Sequence, residues 1–265
     1  MQKKLSLVAA LLSGVALPAQ SQNPPAAQPA AERSAPQVLH SPAYVRRISA
    51  GATLSVLCLR VVPDGYMNTV TTSPAVDTLY TTVGLLHRVG YGVTAQAAIK
   101  ERFAANASLF VRRAGYQMQS DIYQGTDNPN TTADERKHTV RNEDTRTKLF
   151  DFPVVVRYYG KDRHEAGPRW FIQAGGVLRR VSRIKTAIDT TVGSEQTQCC
   201  DLTPARPAQR TVRGFVGGFG VQLIDPVGIR VVPEVRYTRW AGRTFDSFAT
   251  RTQRNQLEAM ISLTF

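Results

Sequence analysis

The sequence predicts an all-β fold: an eight-stranded antiparallel transmembrane β-barrel with up-and-down meander order. Three observations predict it. Period-2 alternation recurs along the chain after Arg46, and no convincing amphipathic helix interrupts it. Eight such segments can be placed, an even number. The connections between them alternate strictly between short and long, as they do when short turns face one side of a bilayer and long loops the other.

The elements follow in order. Residues 1–22 read as a secretory signal peptide: Lys3 and Lys4 form a basic start, an apolar run follows, and Ala19 and Ser21 form a small-residue cleavage site. Residues 23–45 are rich in Pro, Ala and Gln and read as a flexible lead-in of extended, polyproline-type backbone. The barrel itself is expected over 46–265. Its strands lie near 47–59, 88–101, 106–119, 146–159, 169–183, 211–224, 228–241 and 253–265. Short turns fall at 102–105, 160–168 and 225–228. Longer, polar connections fall at 60–87, 120–145, 184–210 and 242–252. Each strand segment can supply the roughly 9–11 residues that a tilted spanning strand needs.

Composition excludes several classes. Of 265 residues, 42% are apolar, too many for a disordered chain despite a net charge of +13. Three cysteines are too few for a disulfide scaffold. The surplus of 33 Lys and Arg over 20 Asp and Glu first suggests nucleic acid or an anionic surface. An export signal turns that expectation away from nucleic acid.

The last strand carries the clearest pattern. Leu257, Ala259, Ile261, Leu263 and Phe265 share one face, and Gln256, Glu258, Met260, Ser262 and Thr264 the other. A chain ending on an aromatic after such alternation resembles the signal read by barrel-insertion machinery, with Leu257, Ile261, Leu263 and Phe265 as its residues.

The strand Phe150-Asp151-Phe152-Pro153-Val154-Val155-Val156-Arg157-Tyr158-Tyr159 resembles one of the small OmpA- and OmpX-type barrels, in particular the outer membrane protein beta-barrel domain family. Pro233-Glu234-Val235-Arg236-Tyr237, the Gly-rich strand 214–220 and the terminal Leu263-Thr264-Phe265 are further matches. The resemblance covers about 46–265. It implies a fold and an outer-membrane location, not an activity. No OmpA-type peptidoglycan-binding domain is recognisable.

Parity then assigns the interior. Asp151, Arg157, Glu234, Arg236 and Glu258 lie opposite the apolar set and point into the lumen, where charge is tolerable only if paired. A paired, Arg-rich plug is expected there. Inward glycines such as Gly214, Gly218 and Gly220 leave room for small water-filled cavities. Arg113 is the difficulty: parity turns it outward within a strand, so it must snorkel or the register is off by one.

Little suggests chemistry. Of His40, His87, His138 and His164, none has a Ser and a carboxylate at a recognisable spacing, and a Ser120–His138 pairing is weak. No metal-ligand or phosphate-loop spacing appears, and no cofactor is expected. Cys58 and the vicinal Cys199-Cys200 allow a disulfide, with connectivity not legible. Aromatics at strand ends, among them Tyr91, Phe103, Trp170, Tyr237 and Trp240, suit interfacial girdles.

The expectation is therefore a non-enzymatic, monomeric barrel in the bacterial outer membrane with a structural or surface-interaction role. Its partners would be outer-membrane lipids, lipopolysaccharide and the barrel assembly machinery, not nucleic acid. The alternatives are a narrow pore or transporter for small solutes, then a lipid-A-modifying enzyme or a secreted lipocalin-like barrel. The charge surplus sits on strands, at Arg112-Arg113, Arg179-Arg180, Arg183, Arg236 and Arg239, while the 120–145 connection is acidic.

Overall fold

The computed structural model describes residues 47–63, 66–73, 76–85, 88–128, 130–132, 134–165, 167–192, 195–199, 206–225, 228–247 and 249–265. The expected signal peptide and lead-in lie outside these residues.

The described residues form one antiparallel sheet of eleven strands: β1 (Ile48–Leu57), β2 (Tyr66–Ser73), β3 (Val76–Gly84), β4 (Val89–Ala98), β5 (Phe103–Gln124), β6 (Lys137–Tyr159), β7 (Arg169–Val192), β8 (Glu195–Cys199), β9 (Thr211–Ile224), β10 (Arg230–Trp240) and β11 (Asn255–Thr264). Ten of them follow one hydrogen-bonded path, β2-β3-β5-β4-β1-β11-β10-β9-β7-β6, and β8 pairs with β7 off that path. β5 also pairs with β6.

This corrects the expected eight-stranded up-and-down barrel. The path holds ten strands, and its hydrogen-bond ring does not close evenly round an axis. Strand length and branching give the reason. β5, β6 and β7 run to 22, 23 and 24 residues, whereas β1, β4 and β11 have 10 each. The first half of β5 pairs with β4 through 104–112, and its second half takes β3 through 116–124. One edge of β5 therefore serves two partners in turn.

The two extra strands come from the connection at 60–87, expected to be a loop. It is a hairpin, β2 on β3, built from Thr-rich segments such as TVTTS and TLYTTVG. β-branched residues favour extended backbone even where no apolar face marks it. The connection at 120–145 likewise shrinks, because β5 and β6 keep one register from Phe103 opposite Tyr158 to Gln124 opposite Lys137.

The outer-membrane localisation, the lipopolysaccharide and assembly-machinery partners, and the porin-like alternative all rested on an evenly closed eight-stranded barrel. They fall with it. No helix among the described residues is long and apolar enough to cross a membrane.

Between β10 and β11, residues 241–247 and 249–254 pack against β3, β5 and the residues that follow β1. Phe245 meets Tyr116 edge to face at 5.6 Å, with Val62 beside them. The Thr82 hydroxyl donates to the Ala249 carbonyl at 2.6 Å, and the Gln253 N–H to the Val61 carbonyl at 2.8 Å. These bonds satisfy buried backbone groups that would otherwise be costly.

Gly175 and Gly176 test how tightly the strands approach. A Cβ on Gly175 would lie 2.1 Å from the Val154 carbonyl oxygen, whereas one on Gly176 would meet nothing within 4 Å. Gly175→Ala is expected to destabilise the protein by about 1–3 kcal/mol through overpacking. Gly176→Ala, its immediate neighbour, should stay within about 0.5 kcal/mol. Denaturant midpoints of the two variants check this, and equal midpoints would contradict the close β6–β7 approach.

Candidate functional site

The polarity of the sheet is inverted. Along β11, Ile261, Leu263 and Phe265 are 45%, 46% and 60% exposed, while Glu258 is 2% exposed and Gln256, Ser262 and Thr264 are buried. The same holds on β6, where Val154 and Val156 face out and Asp151 and Arg157 face in. Strict alternation sends successive side chains to opposite faces, so one charged residue per two positions suffices to fill the interior.

Those interior residues form a connected ionic network. Asp151 on β6 sits directly opposite Arg179 on β7 and accepts from its Nε at 2.7 Å and its other guanidinium donor at 2.8 Å. Arg112 on β5 donates to the same carboxylate at 2.9 Å and also to Glu258 on β11. Ser55 on β1 takes another Arg112 donor at 2.9 Å. Burial opposes the charge on Asp151, but the Arg179 and Arg112 guanidiniums outweigh it and hold its carboxyl below the usual range.

A second group lies further along the strands. Arg157 donates to Glu234 at 2.6 Å, to Gln173 at 3.0 Å and to Gln96 at 2.9 Å. Arg236 donates to the other Glu234 oxygen at 2.8 Å. Aromatic rings back the cations: Arg179 lies 4.0 Å from the Trp240 ring centroid, and Arg157 lies 4.5 Å from that of Phe171. Phe110 takes Arg112 at 5.2 Å and Arg236 at 5.6 Å, and so links the two groups. Four guanidiniums thus meet the carboxylates of Asp151, Glu234 and Glu258, and the buried Nε of Arg236 has no partner.

The network leaves little space. A residual cavity of about 10 Å³ remains among Phe110, Arg112, Asp151, Arg236, Trp240 and Glu258, room for about one water. No solute larger than water fits beside these six side chains.

The structure thus brings Asp151, Arg157, Glu234, Arg236 and Glu258 into one interior. Sequence parity places Gln256 on the inward face of β11 without naming it in the charge network, and it does not name Arg112, Arg179 or Gln173 there. On β7 the inward positions read Phe171, Gln173, Gly175, Val177, Arg179 and Val181, a mixed face on which Arg179 does not stand out. Leu257, Ile261, Leu263 and Phe265 are all on the outward face. Cys58 is an exposed free thiol. The Cys199 side chain and Cys200 lie outside the described residues. So do His40 and His87.

His138 hydrogen-bonds Asp121 at 3.2 Å and stacks on Tyr123 at 4.6 Å. Ser120 is buried on the opposite face of β5 from Asp121, so it does not join that pair. Among the described residues no cluster of His, Cys, Asp or Glu is arranged to hold a metal ion.

No protein-family model matches the chain, and no curated protein matches it either. The resemblance to OmpA- and OmpX-type barrels therefore has neither a matching family model nor an evenly closed eight-stranded ring behind it.

Asp151 gives a prediction with a definite sign. Its folded-state pKa is depressed, so its contribution is present above the unfolded value near about 4 and is lost as pH falls through the lower folded value. Asp151→Asn leaves Arg112 and Arg179 facing each other and should cost about 3–5 kcal/mol at neutral pH. The difference from wild type should shrink below about pH 4, as read by denaturant unfolding across pH. A pH-independent difference would contradict the assignment.

Proposed function

We propose that this chain works without catalysis, as a protein whose outward apolar face is coated by the acyl chains of amphiphiles, with the buried ionic network holding that face in shape. The observation that carries this reading is the inverted polarity. Outward apolar residues occur on eight neighbouring strands: Phe103 on β5, Val93 on β4, Leu54 on β1, Ile261 on β11, Tyr237 on β10, Phe215 and Phe219 on β9, Ile172 on β7 and Val154 on β6. Phe215 is 77% exposed.

An apolar patch beyond a few hundred Å² marks an interaction surface. Water contact over this one forfeits about 25 cal/mol per Å². The extent of the face decides the occupant. A standard protein partner covers about 800 Å² with about 20–30 residues, and a face carried across eight strands turns with the sheet beyond what one such footprint follows. Acyl chains conform to any such contour. Aromatic rings with one polar edge, Tyr237 and Trp170, suit the margin of that coat.

One feature supports the non-catalytic part. The interior carboxylates of Asp151, Glu234 and Glu258 are each held by buried guanidiniums, which leaves none of them free to act as a general acid or base.

Partitioning between water and a cloud-point detergent tests the reading. The full chain should enter the detergent phase and carry bound detergent as a monodisperse particle. Phe215→Asn with Phe219→Asn and Ile261→Asn should shift it towards water. A chain that stays monodisperse in the aqueous phase without detergent would overturn the proposal.

A further inference from the structure

Where β5, β6 and β7 extend beyond their shorter neighbours, their outward face carries a basic cleft of about 630 Å³ lined by Arg113, Arg146, Lys148, Arg183 and Lys185, with Phe150 at one side. The register makes this arrangement unfavourable by itself. Arg113 stands directly opposite Lys148, and Arg146 directly opposite Lys185. Like charges directly opposed across a ladder destabilise a sheet.

A bulge adds a further cation. Thr147 pairs with Ile184 and Leu149 with Val181, so Lys148 faces two residues of β7, Ser182 and Arg183. Both are exposed, although neighbours in a regular strand point to opposite faces. The bulge therefore turns Arg183 outward beside Lys148. Among the described residues one carboxylate answers the group, Asp144, which takes Arg146 at 2.6 Å, and none lines the cleft.

We propose that this cleft binds a ligand carrying two or more phosphate groups. The charge calls for a multivalent anion. The spacing calls for more than a single phosphate, since Arg146 and Lys148 lie about 7 Å apart along the strand at about 3.3 Å per residue. Arginine forks grip phosphate oxygens in pairs, while lysines act as point charges beside them. The ligand has two sources with one chemistry, a free oligophosphate or the headgroup of a phosphorylated amphiphile. The cleft's charge and register do not depend on acyl chains covering the apolar face, so the two readings fail separately.

Calorimetric titration of the full chain in an uncharged detergent tests this, first with inorganic tripolyphosphate and orthophosphate, then with dodecyl diphosphate mixed into the micelles. Tripolyphosphate binding at least about tenfold tighter than orthophosphate, about 1.4 kcal/mol, supports a free oligophosphate. Binding seen only with dodecyl diphosphate supports the amphiphile headgroup. Lys148→Gln with Lys185→Gln should weaken either by about tenfold or more and leave the thermal midpoint unchanged or raised, because opposed like charges are relieved. Failure of both ligands to bind, or equal binding by the variant, overturns the proposal. A midpoint that falls together with binding also overturns it, because the cations then serve the fold.

Discussion

Asp151 is held between Arg179 and Arg112, and the geometry of the sheet depends on that contact. A carboxylate removed from water costs several kcal/mol unless its oxygens are paired. Here both oxygens accept from guanidiniums, and the two arginines come from the strands on either side of β6. Sliding β5 or β7 by one residue would send its arginine to the other face and leave the Asp151 charge buried without it. The ion pairs thus act as register locks. Arg112 carries the lock on to β11 through Glu258, so four strands are fixed by one chain of contacts.

This constraint accounts for the outward face. When charge fills the interior, the alternate positions of each strand have only the outside to occupy. Glu258 and Ile261 on β11, or Asp151 and Val154 on β6, are opposite sides of the same alternation. The apolar exterior is the necessary counterpart of the polar interior, because one alternation produces both. Rings such as Phe110, Trp240 and Phe171 reconcile the two demands inside. They supply packing volume while their faces attract the neighbouring guanidiniums.

How much of this was legible in the sequence depends on the strand. β10 and β11 alternate so cleanly that Glu234, Arg236 and Glu258 could be placed inward from parity alone. β7 mixes Val and Phe with Gln173 and Arg179 on one face, and period-2 reasoning has nothing to grip there. The β2–β3 hairpin is threonine-rich with few apolar side chains, so it read as a loop and the strand count came out short. The upper halves of β5 and β6 carry Gln117, Gln119, Asp121 and Arg141, Glu143, Asp144, polar residues that hide strand from loop. An even strand count does not by itself imply even closure: the path of ten strands is even too, and its ring is uneven. The two-against-one bulge at Ser182 and Arg183 leaves no mark in composition.

Arginine plays two roles here, and pairing separates them. Arg112, Arg157 and Arg179 are buried with carboxylates and aromatic rings, so their positive charge is spent within the fold. Arg113 is the next residue along from Arg112, yet it points outward and faces Lys148. It makes no ion pair among the described residues. The difficulty that Arg113 posed in the sequence, an outward charge within a strand, resolves through strand length. β5 continues past the end of β4's pairing at Arg112, so Arg113 begins the polar extension above the apolar face. A like-charge ladder at that boundary is a cost to the isolated chain. Costs of that kind persist where something outside the chain offsets them, and an anion seated above the apolar face is the counter-charge that the arrangement lacks.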